Sequence, residues 1–282
     1  MIMKILITLL LCLSICTPAY AKTYKAGLYK ANKDVAVYQK ASTSSKVVKK
    51  LKKGRVIAID QIKGNFGISD QIKGYIPLKN CELETSESDL VADTKTAKKT
   101  KQIVVVNGPL ENSRSYKVSL FTKNDEDEWK ESLVTYKAHV GRNGLKLHRH
   151  RHDLTTPIGS FTFTYAFGTH KNPGTKFNYK KLNKNSYWYY GNNTYKESSH
   201  TLPGEYLYVS RRAYEYALFI NFNEYAKVKS AGGAIFLHCY SSHPYTAGCV
   251  AINRNLMKKY IKTIQPNAKI IITPHMRDLN KY

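Results

Sequence analysis

The chain has 282 residues, with 45 Lys or Arg against 20 Asp or Glu and a formal net charge of +25. At roughly 100–200 residues per domain, this is one large or two modest domains with room for a buried core. A content of 42% hydrophobic and 12% aromatic residues excludes a mostly disordered chain, and a mean hydropathy of −0.44 excludes a polytopic membrane protein. Residues 1–21 (MIMKILITLLLCLSICTPAYA) carry Lys4, an apolar run from Ile5 to Cys16, and Ala19-Tyr20-Ala21. This is the pattern of a signal peptide cleaved after Ala21. The run falls short of the ~20 residues that span a bilayer, and Pro18 follows it. No later stretch is apolar enough to span, so no integral membrane segment is expected after cleavage. The expected location is the periplasm or cell wall. The excess positive charge calls for an anionic partner. Export argues against nucleic acid and in favour of the wall, whose stem-peptide carboxylates are anionic.

Residues 22–81 contain short β-like runs, at Val35 to Tyr38, Arg55 to Ile59, Phe66 to Ser69 and Gly74 to Pro77, between Ser, Thr, Lys and Gly turns. That spacing fits a small all-β barrel. Lys22 to Lys79 holds 14 Lys or Arg against three Asp. Residues 82–100 (ELETSESDLVADTKTAKKT) have few large apolar residues and read as a linker. From Lys101 the patterning resumes: QIVVVN (102–107), YKVSLFT (116–122), FTFTYAF (161–167), YLYVS (206–210), AIFLH (234–238) and AKIIIT (268–273) read as strands. DEDEWKE (125–131) reads as an acidic hairpin tip, and NLMKKYIKTI (255–264) is the one clear helix. The fold class is mainly β, with a second domain over 101–275 and a tail at 276–282.

Past the signal segment, the cysteines are Cys81, Cys239 and Cys249, an odd number, so at least one thiol is free. In AIFLHCYSSHPYTAGCVAIN (234–253), a strand ends at His238 and Gly248-Cys249 leads into an apolar run. A thiol is only a few per cent thiolate at neutral pH. A nearby imidazole such as His238 raises that fraction and returns the proton to a leaving amine. Gly248, lacking Cβ, lets backbone approach a reacting carbonyl closely. The same residues also suit a plain hairpin with a structural His and Cys.

His238…Thr246-x-Gly248-Cys249-Val250 resembles the catalytic motif of the L,D-transpeptidase (YkuD) family. Val140-Gly141-Arg142-Asn143-Gly144, then Thr156-Pro157-Ile158-Gly159-Ser160-Phe161, resemble its "VGRNG…TPxGxF" block. The resemblance implies a β-rich catalytic domain that attacks peptidoglycan stem peptides through an acyl-enzyme, with no cofactor or metal. It implies Cys249 as nucleophile, His238 as general base, Gly248 with the Cys249 N–H as oxyanion donors, and Thr246 in the substrate site. Ala247 stands where the family commonly has His, and Ala251 where it has the Arg that binds a substrate carboxylate. Arg254 and Arg142 are the candidates to replace that Arg, and His243 to take part of the missing His's role.

Three histidines in Leu147-His148-Arg149-His150-Arg151-His152 fall at period two, but the intervening Arg residues would repel a cation. This run reads as a basic loop near the substrate. Residues 35–76 resemble a bacterial SH3 domain, which implies wall targeting. Transpeptidation, L,D-carboxypeptidation and non-catalytic wall binding all remain open on the motifs alone, and the oligomeric state is not set by them.

Overall fold

The computed structural model describes residues 23–109 and 115–282. The signal segment 1–21 lies outside the described residues. Among those described, no helix is long and apolar enough to cross a membrane.

Gln102–Asn107 (QIVVVN) is buried along its whole length, as an interior strand covered on both faces must be. Val104 and Val106 enter the main core, while Ile103 and Val105 enter a second core on the opposite face. This strand pairs in parallel with Lys269–Thr273, whose Ile270 and Ile272 face the same main core. Both belong to a nine-stranded sheet. Its order is Trp129–Ala138, Tyr116–Lys123, Gln102–Asn107, Lys269–Thr273, Gly159–Gly168, Ala217–Ile220, Phe236–Cys239 and Val250–Ile252, with Tyr179–Lys181 beside Gly159–Gly168. The two ends of that order meet: His139, just past the first strand, bridges Ala251 in the last. The sheet therefore closes on itself at that bridge.

The helix Arg254–Thr263 buries Met257, Tyr260 and Ile261. The Tyr260 hydroxyl lies 3.1 Å from the Val118 and Leu133 carbonyls, pinning the helix to two strands. The stretch expected as a strand over 206–210 contributes only Tyr206, at the end of Gly204–Tyr206. Beyond it the chain turns, which lets Leu207, Ala213 and Tyr214 all face the aromatic core around Phe167, Trp188 and Phe236.

Residues 27–86 form two small sheets. One has the order Val56–Ile59, Gly27–Ala31, Cys81–Ser86, and the other Val47–Leu51, Val35–Tyr38, Ile72–Pro77, Phe66–Ser69, Gln61–Lys63. They enclose Tyr29, Val37, Ile57, Ile76 and Leu78.

The expectation of a linker at 82–100 is corrected. Cys81–Ser86 is a strand paired with Gly27–Ala31, and Glu87–Ala92 is a helix. Ser86 and Asp89 make a reciprocal capping box that starts this helix. Val91 and Ala97 are buried with Ile103, Val105 and Ala58. Glu87 pairs with the fully buried Lys117, which also meets Glu131 at 3.3 Å. The stretch is sparse in large apolar residues because charge pairing and capping fix it. The expected tail is also corrected. Met276–Lys281 forms a 3-10 turn that buries Met276 and Leu279, and His275 Nδ1 lies 2.6 Å from Asp70. With Asn107 donating to Asp60 at 3.0 Å, these contacts dock residues 27–86 against the nine-stranded sheet.

Candidate active site

Phe236–Cys239 runs parallel to Val250–Ile252, with His238 opposite Ala251. Side chains alternate along a strand. Leu237, Cys239, Val250 and Ile252 face the main core, while Phe236 and Cys249 face the aromatic core. His238, two residues on from Phe236, shares the Cys249 face.

The turn ahead of Cys249 is held from two sides. Thr246 Oγ1 accepts the Gly248 N–H at 3.0 Å and donates to the Cys249 carbonyl at 2.7 Å. Thr156 Oγ1 reaches the same carbonyl at 3.1 Å and accepts the Gly141 N–H at 2.8 Å. The Thr246 N–H donates to Val140, and the Arg142 N–H to Thr246. The two upstream motifs thus clasp the cysteine turn. Gly248 has φ +145°, and a Cβ there would stand 2.9 Å from the Thr155 carbonyl. Only glycine fits both the conformation and the space.

A cavity of about 660 Å³ opens over this face, lined by Cys249, His238, His243, Thr246, Arg149 and Glu205 among others. The Cys249 thiol is buried, accepts the Phe236 N–H at 3.4 Å and donates to the Ala234 carbonyl at 3.4 Å. Burial pushes the thiol up to about 12, with the Glu205 charge adding to the rise, while the Phe236 N–H and the Arg149 charge oppose it. Burial pushes the His238 imidazole down to about 4, against the Cys239 and Ala213 carbonyls. Its Nδ1 lies 2.6 Å from the Cys239 carbonyl, so that nitrogen carries the proton and Nε2 is the basic one. At neutral pH the resting site holds a neutral thiol and a neutral imidazole, each bonded to backbone.

The residues expected from the sequence separate on this geometry. Cys249, His238, Thr246 and His243 line one cavity. His243 is an exposed rim residue stacked on Tyr245 at 5.4 Å. Thr246 is occupied in the turn, and the Gly248 N–H is spent on it; of the Gly248 and Cys249 amides, that of Cys249 is left for an oxyanion. Arg142 lies over the Tyr245 ring at 5.5 Å and lines a separate cavity of about 190 Å³. Arg254 pairs with Glu215 at the start of its helix. Neither faces the thiol.

Sequence reasoning passed over Arg149 and Glu205. Arg149 is 7% exposed and donates to the Ala231 carbonyl at 3.1 Å. Its signal was the Asp153 four residues on, which folds the His/Arg run into a turn by accepting the His150 and Thr155 N–H groups at 2.8 and 3.0 Å. Among the described residues, no three His, Cys, Asp or Glu side chains converge as metal ligands.

The family model of the L,D-transpeptidase catalytic domain, YkuD, matches residues 101–272. Among solved structures, the helical cell shape determining protein Pgp2 from Campylobacter jejuni is similar at 13% identity and a TM-score of 0.35, over 62% of this chain and 48% of that one. The Ldtfm–avibactam carbamoyl enzyme is similar at 10% identity and a TM-score of 0.29, over 86% of this chain and 74% of that one. The chain thus spans about half the length of Pgp2. No curated protein matches it.

Proposed function

Starting from the chain's membership of the L,D-transpeptidase catalytic-domain (YkuD) family, we propose that it is an exported enzyme that transfers peptidoglycan stem peptides through an acyl-enzyme on Cys249. The observation that carries this reading is one cavity lined by a buried thiol and by an imidazole whose Nδ1 is held by the Cys239 carbonyl. The thiol proton passes to His238 as sulfur attacks the carbonyl of the stem's third residue. The Cys249 N–H is the turn's donor to the developing oxyanion, a contact typically worth ~2.7–4 kcal/mol. The C–N bond to the terminal D-amino acid breaks, and His238 returns the proton to the leaving amine. An amine of a second stem then attacks the thioester, forming a new C–N bond and releasing the thiol.

The neutral resting pair supports proton transfer in step with attack rather than a preformed thiolate. His243 serves as a rim contact for the substrate. Residues 22–81 serve as the wall-binding, SH3-like unit, with their excess of lysine drawn to wall polyanion.

The test incubates the chain from Lys22 with purified muropeptides and reads the products by mass spectrometry. Cross-linked dimers with released D-amino acid are expected, and Cys249→Ala should abolish both. Tripeptides without dimers would assign hydrolysis of the same acyl-enzyme. Turnover undiminished in Cys249→Ala would overturn the mechanism.

A further inference from the structure

Four charged side chains of the cavity, Arg149, Arg151, Glu205 and Lys229, take no part in the transfer steps above; Arg151 and Lys229 are exposed, while Arg149 and Glu205 are set into its wall. Arg149 is buried, and its Nε has no hydrogen-bond partner among the described residues, with Asp153 3.8 Å away. Its Nη2 is 3.2 Å from where a Gly248 Cβ would stand, so the guanidinium lies on the Gly248 side of the thiol. Glu205 comes from a different element, the strand Gly204–Tyr206, where it stands opposite Trp188 of the strand Ser186–Tyr189. It accepts a hydrogen bond from the Tyr214 hydroxyl, and the Tyr214 ring packs edge-on against His238 with centroids 5.4 Å apart. Glu205 therefore stands on the His238 side. A half-buried carboxylate whose partner is a neutral hydroxyl, and a buried guanidinium with a spare N–H, each cost free energy that a ligand of opposite charge recovers. A ligand carrying an ammonium and a carboxylate together answers both, and a planar guanidinium suits the carboxylate end.

We propose that this cavity reads a zwitterion, with Arg149 taking the carboxylate and Glu205 with Tyr214 the ammonium of an amino-acid group at the end of the stem's third side chain. The inference rests on the reaction proposed at Cys249 and narrows its substrate class. It selects stems whose third residue is a diamino-dicarboxylic acid over those with lysine, whose side chain has the ammonium but no carboxylate. It also gives the carboxylate subsite to a residue about a hundred positions before the nucleophile, in place of the Arg that Ala251 replaces.

The test measures binding in the Cys249→Ala chain by titration calorimetry, so that turnover does not interfere. Three tetrapeptides are compared, identical except at residue three: diaminopimelate, diaminopimelate amidated on its side-chain carboxylate, and lysine. The first should bind at least tenfold tighter than the others. Adding Arg149→Gln should bring the three within twofold, and Arg149→Lys should keep part of the preference. Glu205→Gln should weaken all three about equally, since each carries the ammonium. Equal affinities in the parent, or a preference that survives Arg149→Gln, would overturn the proposal. If Arg149→Gln does not fold, Arg149→Lys decides: a preference reduced at least threefold supports the proposal, and an undiminished one overturns it. A fourth peptide ending in D-alaninamide separates the two carboxylates of the stem. A tenfold loss confined to that peptide would move Arg149 to the terminal carboxylate and overturn the side-chain assignment. Because binding is read without catalysis, absence of turnover by the wild type would sink the proposed function while leaving this result readable.

Discussion

Thr246→Val distinguishes two accounts of the threonine beside the nucleophile. The side chain is 8% exposed and makes two hydrogen bonds inside the turn, from the Gly248 N–H at 3.0 Å and to the Cys249 carbonyl at 2.7 Å. Valine keeps the shape and removes both. The Cys249 carbonyl keeps Thr156 at 3.1 Å, but the Gly248 N–H is stranded. An unsatisfied buried donor costs ~1–3 kcal/mol and the lost second bond ~0.5–1.5, so a total of about 3 kcal/mol is expected. At about 2–4 °C per kcal/mol for a domain of this size, Tm should fall by about 6–12 °C in a thermal denaturation scan. Loosening the turn also misplaces the sulfur, so kcat on a stem tetrapeptide should drop about tenfold or more with KM little changed. Thr246→Ser, which keeps the hydroxyl, should restore both. A substrate-binding threonine predicts the reverse, a raised KM at unchanged Tm. That result would refute the turn reasoning.

Other outcomes follow from the same structure. With the thiol pushed up to about 12 by burial, Cys249 stays protonated across the neutral range, and only rising pH converts it to thiolate. Alkylation by iodoacetamide, read by mass spectrometry, should climb about tenfold per pH unit through pH 10; a plateau near pH 8.5 would contradict the buried site. Lys117→Met leaves Glu87 buried without its cation, and denaturant unfolding should show a loss of about 3–5 kcal/mol. Restoring neutrality with Glu87→Gln in the same chain should recover part of it. Reversing Lys49, Lys50, Lys52 and Lys53 to Glu should weaken sedimentation with wall sacculi and flatten its salt dependence, while tetrapeptide turnover is retained.

Much of the architecture was legible because local pattern and tertiary role coincide there. QIVVVN and AKIIIT are apolar runs, and both became buried strands, Gln102–Asn107 and Lys269–Thr273. The terminal helix was legible from Leu256, Tyr260 and Ile261 on one face, with Asn253 as its cap accepting the Asn255 N–H at 2.9 Å. The pairing of Cys249 and His238 in one cavity followed from the strand–loop–strand reading. What escaped depends on partners distant in sequence. The 82–100 stretch looked soluble and unstructured because its stabilisation comes from Lys117 and from Ile103 and Val105, which composition cannot display. Arg254 and Arg142, the candidates to replace the Arg missing at Ala251, are engaged instead by Glu215 and Tyr245. Arg149 was hidden among look-alike charges, since burial, and not residue type, separates it from Arg151 and from His150.

The closure of the sheet has a consequence for timing. The bridge between His139 and Ala251 joins segments roughly 110 residues apart, and the Thr246 turn hangs from that same junction. Contacts at such separation carry a loop-closure cost that is repaid only when most of the chain is in place. A nascent or partly folded chain carries Cys249 as an ordinary exposed thiol, with neither the Phe236 amide nor Arg149 beside it. Closure of the sheet thus lowers the thiol's general reactivity while setting His238 and the cavity beside it, so the transfer chemistry is the last thing the fold assembles.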